Sequence, residues 1–239
     1  MNPDFLALGF LEYVVFLFST TCHEAAHALV AKWGGDTTAL EAGQVSLNPL
    51  PHIRREPFGM VVMPLLGLAT GTLIGWASTP YNLKWAQQHP KRAAWMSLAG
   101  PVSNFTMAII SGIIMRIGLA MGSFIPAEFS FTQIVAAAPG SGGDVSSVVG
   151  GIATVLSVMF SLNLLLGTFN LIPFPPLDGY GILGLFTTEQ GALRLQEWRM
   201  KMGAMAIIGL VVAWQVFDRV YTPLFAAGIH ILYAGYRIS

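Results

Sequence analysis

His23, Glu24 and His27 form the pattern H-E-x-x-H within Thr20-Thr21-Cys22-His23-Glu24-Ala25-Ala26-His27-Ala28, inside an apolar run that begins near Phe5. Residues four apart share a helix face, so the two imidazoles can grip one divalent ion while Glu24 sits beside it to handle a proton. A zinc ion held this way needs a third protein ligand and leaves its fourth position to water, whose pKa falls to about 7. The bland alternative is a pair of packed or polar-network histidines. Ionisable groups deep in an apolar segment are costly and usually functional, which favours the metal.

A third ligand must come from elsewhere, and the fourth apolar stretch ends in Phe169-Asn170-Leu171-Ile172-Pro173-Phe174-Pro175-Pro176-Leu177-Asp178-Gly179. Three prolines cannot sustain a helix, and an unwound piece at membrane depth is tolerated only inside protein or beside a water-filled cavity. Asp178 follows that piece, and a carboxylate there wants a cation. With His23, His27 and Asp178 around Zn²⁺, the ion's double charge is offset by Asp178 and Glu24, so the site can be buried near neutrality. The alternative is an Asp that caps a helix starting near Gly179.

The elements that must position these groups are membrane helices. The chain has 239 residues, 54% hydrophobic and only 10% charged, against about 25% charged in a soluble domain. It reads as an all-α polytopic membrane protein: one membrane-embedded domain over residues 1–239, with a catalytic core at about 5–186 and C-terminal helices at about 200–238. A net charge of zero argues against a nucleic-acid partner. Cys22 is the single cysteine and reads as a small buried residue rather than a ligand. The N-terminus lacks a basic region and no cleavage site follows the first run, so that run is expected to stay in the mature protein.

Apolar stretches cover approximately residues 5–31, 57–77, 93–121, 145–170, 202–220 and 223–236, giving about five to six helices. In the first, Glu12, Ser19, His23 and His27 fall within about a quarter-turn at 100° per residue, a polar stripe that should face the interior. Glu12 lies roughly 16 Å along the helix from His23, too far to coordinate. Gln44-Val45-Ser46-Leu47 alternates polar with apolar, as a short strand would, and a strand edge there can pair with an extended substrate. His52, beside Arg54 and Arg55, reads as a surface histidine. Gly67, Gly71 and Gly75 form a small-residue ridge for helix packing, and Ser97, Asn104 and Ser111 share a face at seven-residue spacing. Residues 123–147, with Pro126, Pro139 and Gly140-Ser141-Gly142-Gly143, read as a flexible, solvent-facing loop.

Three motifs together, His23-Glu24-Ala25-Ala26-His27, Gly100-Pro101-Val102-Ser103-Asn104 and Asn170 through Gly179, resemble the site-2 protease family of intramembrane zinc metalloproteases. Leu47-Asn48-Pro49-Leu50-Pro51-His52 and Gly75-Trp76-Ala77 resemble a compact prokaryotic branch without PDZ or CBS domains, so the likeness covers most of residues 20–180. The resemblance implies one Zn²⁺ per chain on His23, His27 and Asp178, and Glu24 as general base. It also implies Asn104 and Asn170 at the substrate or transition state, and a transmembrane protein in the lipid bilayer as substrate. Arg54-Arg55-Glu56-Pro57 departs from the acidic pattern expected after His52. The rival class is a membrane metal transporter or channel using the same His and Asp residues, and a third is a silent scaffold.

Topology can be tested by charge. If every stretch crosses, seven basic residues (Lys84, Lys91, Arg92, Arg194, Arg199, Lys201, Arg237) oppose five, and His27 and Asp178 end on opposite sides. If 57–77 is re-entrant, five crossings remain, the ligands meet, and only Arg116 and Arg219 oppose the other ten. The positive-inside rule then puts the site near the cytoplasmic face of a multi-pass cell-membrane protein, N-terminus outside and C-terminus cytoplasmic.

Overall fold

A computed structural model describes residues 3–127, 129–139, 144–203 and 206–236. Three of its helices are long and apolar enough to cross a membrane: Phe5–Trp33 within α1 (Pro3–Trp33), α6 (Pro90–Ala120), and Val148–Asn170 within α7 (Asp144–Asn170). α6 packs against both α1 and α7 and forms the axis of the bundle. The stripe expected on α1 does face inward at Ser19, His23 and His27, and Glu12 is half-buried. Ser97, Asn104 and Ser111 are likewise buried along α6.

The segment after α1 differs from expectation. Residues 44–47 form bends between α2 (Thr38–Glu41) and α3 (Pro49–Arg55), not a strand. Local polar bonds outcompete a ladder there: the Ser46 hydroxyl accepts from Asn48 N–H, and Asn48 caps α3 by accepting from Leu50 N–H. His52 is buried rather than superficial, its Nε2 donating to the Ser46 carbonyl.

Residues 57–77 do not form one through-going helix. A π-helical turn (Phe58–Val62) leads into α4 (Met63–Thr70), which ends at Gly71 in the left-handed conformation (φ 71°). The chain then returns without regular secondary structure to Asn82, where α5 (Leu83–Gln88) begins. Two contacts clamp this fold-back: Thr72 N–H donates to Gly67 O at 2.9 Å and Trp76 N–H to Gly59 O at 3.1 Å. A Cβ on Gly59 would lie 2.2 Å from Trp76 O, and one on Gly67 2.0 Å from Thr72 O. Gly59 and Gly67 thus admit the segment's own returning backbone, while Gly75 also lets a neighbouring helix approach: a Cβ there would lie 2.3 Å from the Phe16 ring of α1 and 2.6 Å from Gly59 O.

Residues 123–127 and 129–139 are also more ordered than their composition suggests. β1 (Phe124–Pro126) pairs antiparallel with β2 (Val135–Ala137), and Ile134 and Val135 are buried against α6 and α7. Ile134 N–H donates to Ser157 Oγ on α7. The glycine cluster 140–143 lies outside the described residues.

After α7 come α8 (Asp178–Ile182), a 3-10 turn (Leu183–Phe186) and α9 (Glu189–Met202). The two short C-terminal stretches expected as separate crossings are one helix, α10 (Ala206–Leu232), with Pro223 inside it. α10 runs back along α7: Ala213 and Phe217 pack near Ile172, and Ile229 and Leu232 near Ala153 and Leu156. Arg116, near the end of α6, donates to Leu232 O at 2.8 Å and to Ala234 O at 2.5 Å. The end of α10 therefore sits at the end of α6 remote from His23.

Gly59→Ala is expected to lower stability by about 1–3 kcal/mol, because the methyl meets backbone rather than a yielding side chain. Gly150→Ala on α7, where an added Cβ meets nothing within 4 Å, should be neutral or stabilising. Thermal unfolding of both variants in the same detergent checks this.

Candidate metal centre

His23 and His27 reach the centre because α1 carries them on its inward face, and Asp178 reaches it because the chain beyond α7 folds back. Leu177, not Asp178, is the N-cap of α8, which frees the Asp178 side chain. Gly179 permits the fold, since a Cβ there would lie 2.2 Å from Leu171 O. The two Nε2 atoms are 3.0 Å apart, and each is 3.1 Å from Asp178 Oδ2. Both histidines are buried. Among the described residues this is the one His/Cys/Asp/Glu group close enough to hold an ion.

The second nitrogen of each ring is tied down. His27 Nδ1 donates to Met96 O at 2.7 Å and His23 Nδ1 to Asn104 Oδ1 at 2.5 Å, both partners lying on α6. Protonation at Nδ1 leaves the Nε2 lone pairs free, the tautomer a metal requires. Asn104 is fully buried; its Nδ2 donates to Asn163 Oδ1 at 2.9 Å, and Asn163 Nδ2 donates to Ser19 Oγ at 2.9 Å. A chain of side chains from α1, α6 and α7 therefore fixes the first imidazole.

The donor set fits zinc. Two lone pairs and a carboxylate oxygen converging at about 3 Å repel one another unless a cation lies between them. Tetrahedral zinc with bonds of about 2.0–2.1 Å separates its ligand atoms by about 3.3 Å, within a few tenths of an ångström of these spacings. Gly100 keeps the adjoining space open: a Cβ there would lie 2.4 Å from His27 Nε2 and 2.5 Å from His23 Nε2.

Glu24 is buried beside this group and is not among its three donors. The Thr79 hydroxyl contacts Glu24 Oε2 at 2.6 Å and Glu24 O at 2.9 Å. Thr79 belongs to the return after α4, and its neighbour Ser78 is held in turn. Ser78 Oγ donates to Glu56 Oε1, and Arg55 Nε donates to Ser78 O at 3.1 Å. The unexpected Arg54-Arg55-Glu56 stretch thus anchors the segment that positions Glu24.

Asn170 stands apart from these contacts, half-buried at the end of α7 with its Nδ2 donating to Leu166 O at 3.0 Å. Cys22 is half-buried and outside the donor group. Thr79 and Asn163 were not picked out by sequence reasoning. A lone threonine in a loop and an asparagine in an apolar helix carry no spacing signal.

Two imidazoles and a carboxylate meeting between membrane-length helices, with a further carboxylate held beside them, define a membrane-embedded zinc hydrolase. The sequence profile of Peptidase family M50 matches residues 12–212. The chain belongs to that family, the site-2 protease family, and is a metalloendopeptidase with zinc as its cofactor. It is 34% identical over 179 residues to "Putative zinc metalloprotease YwhC" of Bacillus subtilis (strain 168), covering 74% of this chain and 69% of that protein. It is 25% identical over 221 residues to "Putative zinc metalloprotease Rip2" of Mycolicibacterium smegmatis (strain ATCC 700084 / mc(2)155), covering 91% and 74%. No solved structure matches it significantly.

Gly100→Ala should displace the imidazoles and cut zinc affinity by roughly 10–100-fold. Zinc content of the purified variant after dialysis against a graded chelator series measures this, with thermal unfolding as the control for folding.

Proposed function

We propose that this protein cuts transmembrane segments of membrane proteins within or just below the bilayer surface, with His23, His27 and Asp178 holding zinc and Glu24 as general base. The observation that carries the reading is the convergence of three donor atoms from opposite ends of the polypeptide, with Glu24 adjacent but outside the set. A transit site for ions would have no use for a carboxylate pinned by Thr79 beside the metal ligands rather than among them. Zinc bound here supplies Lewis acidity, making water acidic enough to ionise near neutral pH.

The chain's own residues do the rest. Thr79 anchors Glu24 Oε2, so Oε1 takes the proton from the attacking water and returns it to the leaving amine. Met96 O and Asn104 keep the imidazoles in register while this happens. Both ends of the Asn104 amide are engaged within the protein, which favours a positioning role for it over substrate contact. Asn170 remains the candidate for binding substrate or the developing oxyanion. A substrate helix must first unwind, because its carbonyls are otherwise occupied by intrahelical bonds. The return at 72–82 passes Glu24 and offers an unwound peptide an edge to pair with, the role first sought at 44–47.

In the membrane, 57–82 dips in and returns on the side of the site, α1, α6 and α7 cross, and α10 runs at the same depth packed along α7. Lys32, Arg54, Arg55, Lys84, Lys91, Arg92, Arg194, Arg199 and Lys201 then share that side, while Arg116 lies at the other end of α6. The positive-inside rule makes the site's side cytoplasmic and places both α1's start and α10's end outside.

Two measurements test the proposal. Glu24→Gln is expected to keep its zinc while cleavage of a panel of single-span peptides falls at least about a hundredfold. Turnover retained by a zinc-loaded variant would remove Glu24 from the mechanism. For orientation, a cysteine at Ser123 should react with a membrane-impermeant maleimide in intact cells, and one at Gln88 only after permeabilisation. Equal reactivity at both would refute the arrangement.

A further inference from the structure

α10 packs along α7, a helix of membrane-crossing length, and its outward face carries charge. Phe217 lies against Phe169 with ring centroids 5.4 Å apart, and Tyr221 Oη donates to Ser161 O at 3.4 Å. Asp218 and Arg219 therefore lie level with α7 between residues 161 and 169. Asn163, the residue linked through Asn104 to His23, is in the same interval. Both side chains are exposed. Among the described residues the ion pairs are those of His23 and His27 with Asp178, so neither Asp218 nor Arg219 has one. They cannot answer each other, because consecutive residues on a helix do not face one another. An ionised pair facing lipid at this level would be costly and calls for a partner.

The pattern around them says which partner. Ile208, Val211, Gln215, Asp218 and Thr222 are all exposed and alternate in steps of three and four, the seam of a two-helix coiled coil. Ala213 and Phe217 face the other way, into the contact with α7. With Gln215 taken as the middle of the seam at about 100° per residue, Thr222 lies within about 20° of it. Asp218 lies about 60° to one side and Arg219 about 40° to the other. Around a two-fold axis parallel to the helix, a residue displaced to one side of the seam meets the residue displaced to the opposite side on its mate. Asp218 of each copy then meets Arg219 of the other, only about 1.5 Å different in depth.

We propose that α10 is a homodimerisation helix, and that the occupant of its outward face is the same face of a second copy, paired in parallel through two reciprocal Asp218–Arg219 contacts. The stripe is complementary to itself under this symmetry. A substrate helix, which varies in sequence, has no reason to supply both charges in the required order. In such a dimer the two catalytic centres lie on opposite sides of the paired helices.

The test is disulfide cross-linking of the full chain in native membranes, with the wild type, whose Cys22 is its one thiol, as the blank. Thr222→Cys and Gln215→Cys are expected to give a species of twice the chain mass on mild oxidation. Val220→Cys, exposed but about 140° away from the seam, should give at least tenfold less. Arg219→Asp added to Thr222→Cys turns the stripe wholly acidic and should lower the cross-linked fraction at least tenfold. The double exchange Asp218→Arg with Arg219→Asp restores reciprocity and should recover it. If the single charge variant fails to insert, the double exchange, which has wild-type composition, still reads the effect. Seam cysteines that cross-link no better than Val220→Cys, or that are captured by a substrate segment instead of a second copy, would overturn the proposal. So would a cross-linked fraction indifferent to Arg219→Asp. None of these readouts depends on peptide cleavage, so the proteolytic reading can fail while this one stands.

Discussion

Charge placed between apolar helices has to be answered by other charge or by hydrogen bonds, and the centre of this molecule is arranged by that requirement. Two imidazoles and two carboxylates lie within α1 and its immediate surroundings, and every one of them is held by a partner from another element. His23 is held by Asn104, His27 by the Met96 carbonyl, Glu24 by Thr79, and Asp178 by the imidazoles it faces. With a divalent ion held as proposed, the two carboxylates would leave the group close to neutral, which makes burial tolerable. The same bonds select the histidine tautomer, so solvation and ligand geometry are settled by one set of contacts.

This requirement explains why α6 is central. A helix that only filled space beside α1 could carry any apolar sequence, but α6 presents Met96, Gly100 and Asn104 in consecutive turns on one face. The first supplies a free carbonyl, the second leaves room for the two rings, and the third bonds a ring nitrogen. The motif Gly100-Pro101-Val102-Ser103-Asn104 is therefore the complement of H-E-x-x-H, read across a helix interface. Pro101, inside α6, has no N–H to give the Ser97 carbonyl one turn back, so that carbonyl lacks its helical donor.

What the sequence made legible was local and periodic. The inward stripe of α1 follows from residues three and four apart, and the placement of Asp178 follows from prolines that stop α7. What it hid depends on contacts between remote segments. Alternation at 44–47 imitates a strand, but no neighbouring strand is there, and serine and asparagine turn the backbone onto itself. The loop at 123–137 looks unstructured until Ile134 and Val135 find apolar cover on α6 and α7. Pro223 suggested a break between two segments, yet α10 runs through it while its flanks stay packed on α7. That single reading puts the end of α10 at the far end of the bundle from His23.

The fold-back after α4 shows how a surface feature reaches the chemistry. Arg55 and Glu56 lie at the end of α3, and between them they hold the backbone and hydroxyl of Ser78. Asp36, buried after α1, accepts from Asn82 N–H at 2.7 Å and fixes the other end of the same stretch. Thr79 lies between these anchors and bonds Glu24. The general-base role proposed for Glu24 requires its carboxylate to keep its position relative to the water, and α1 alone leaves that side chain free to rotate. Two anchors in the connecting segments, far from the donors in sequence, remove that freedom. Arg55 and Glu56, part of the departure from the pattern expected after His52, are thus part of the support of Glu24.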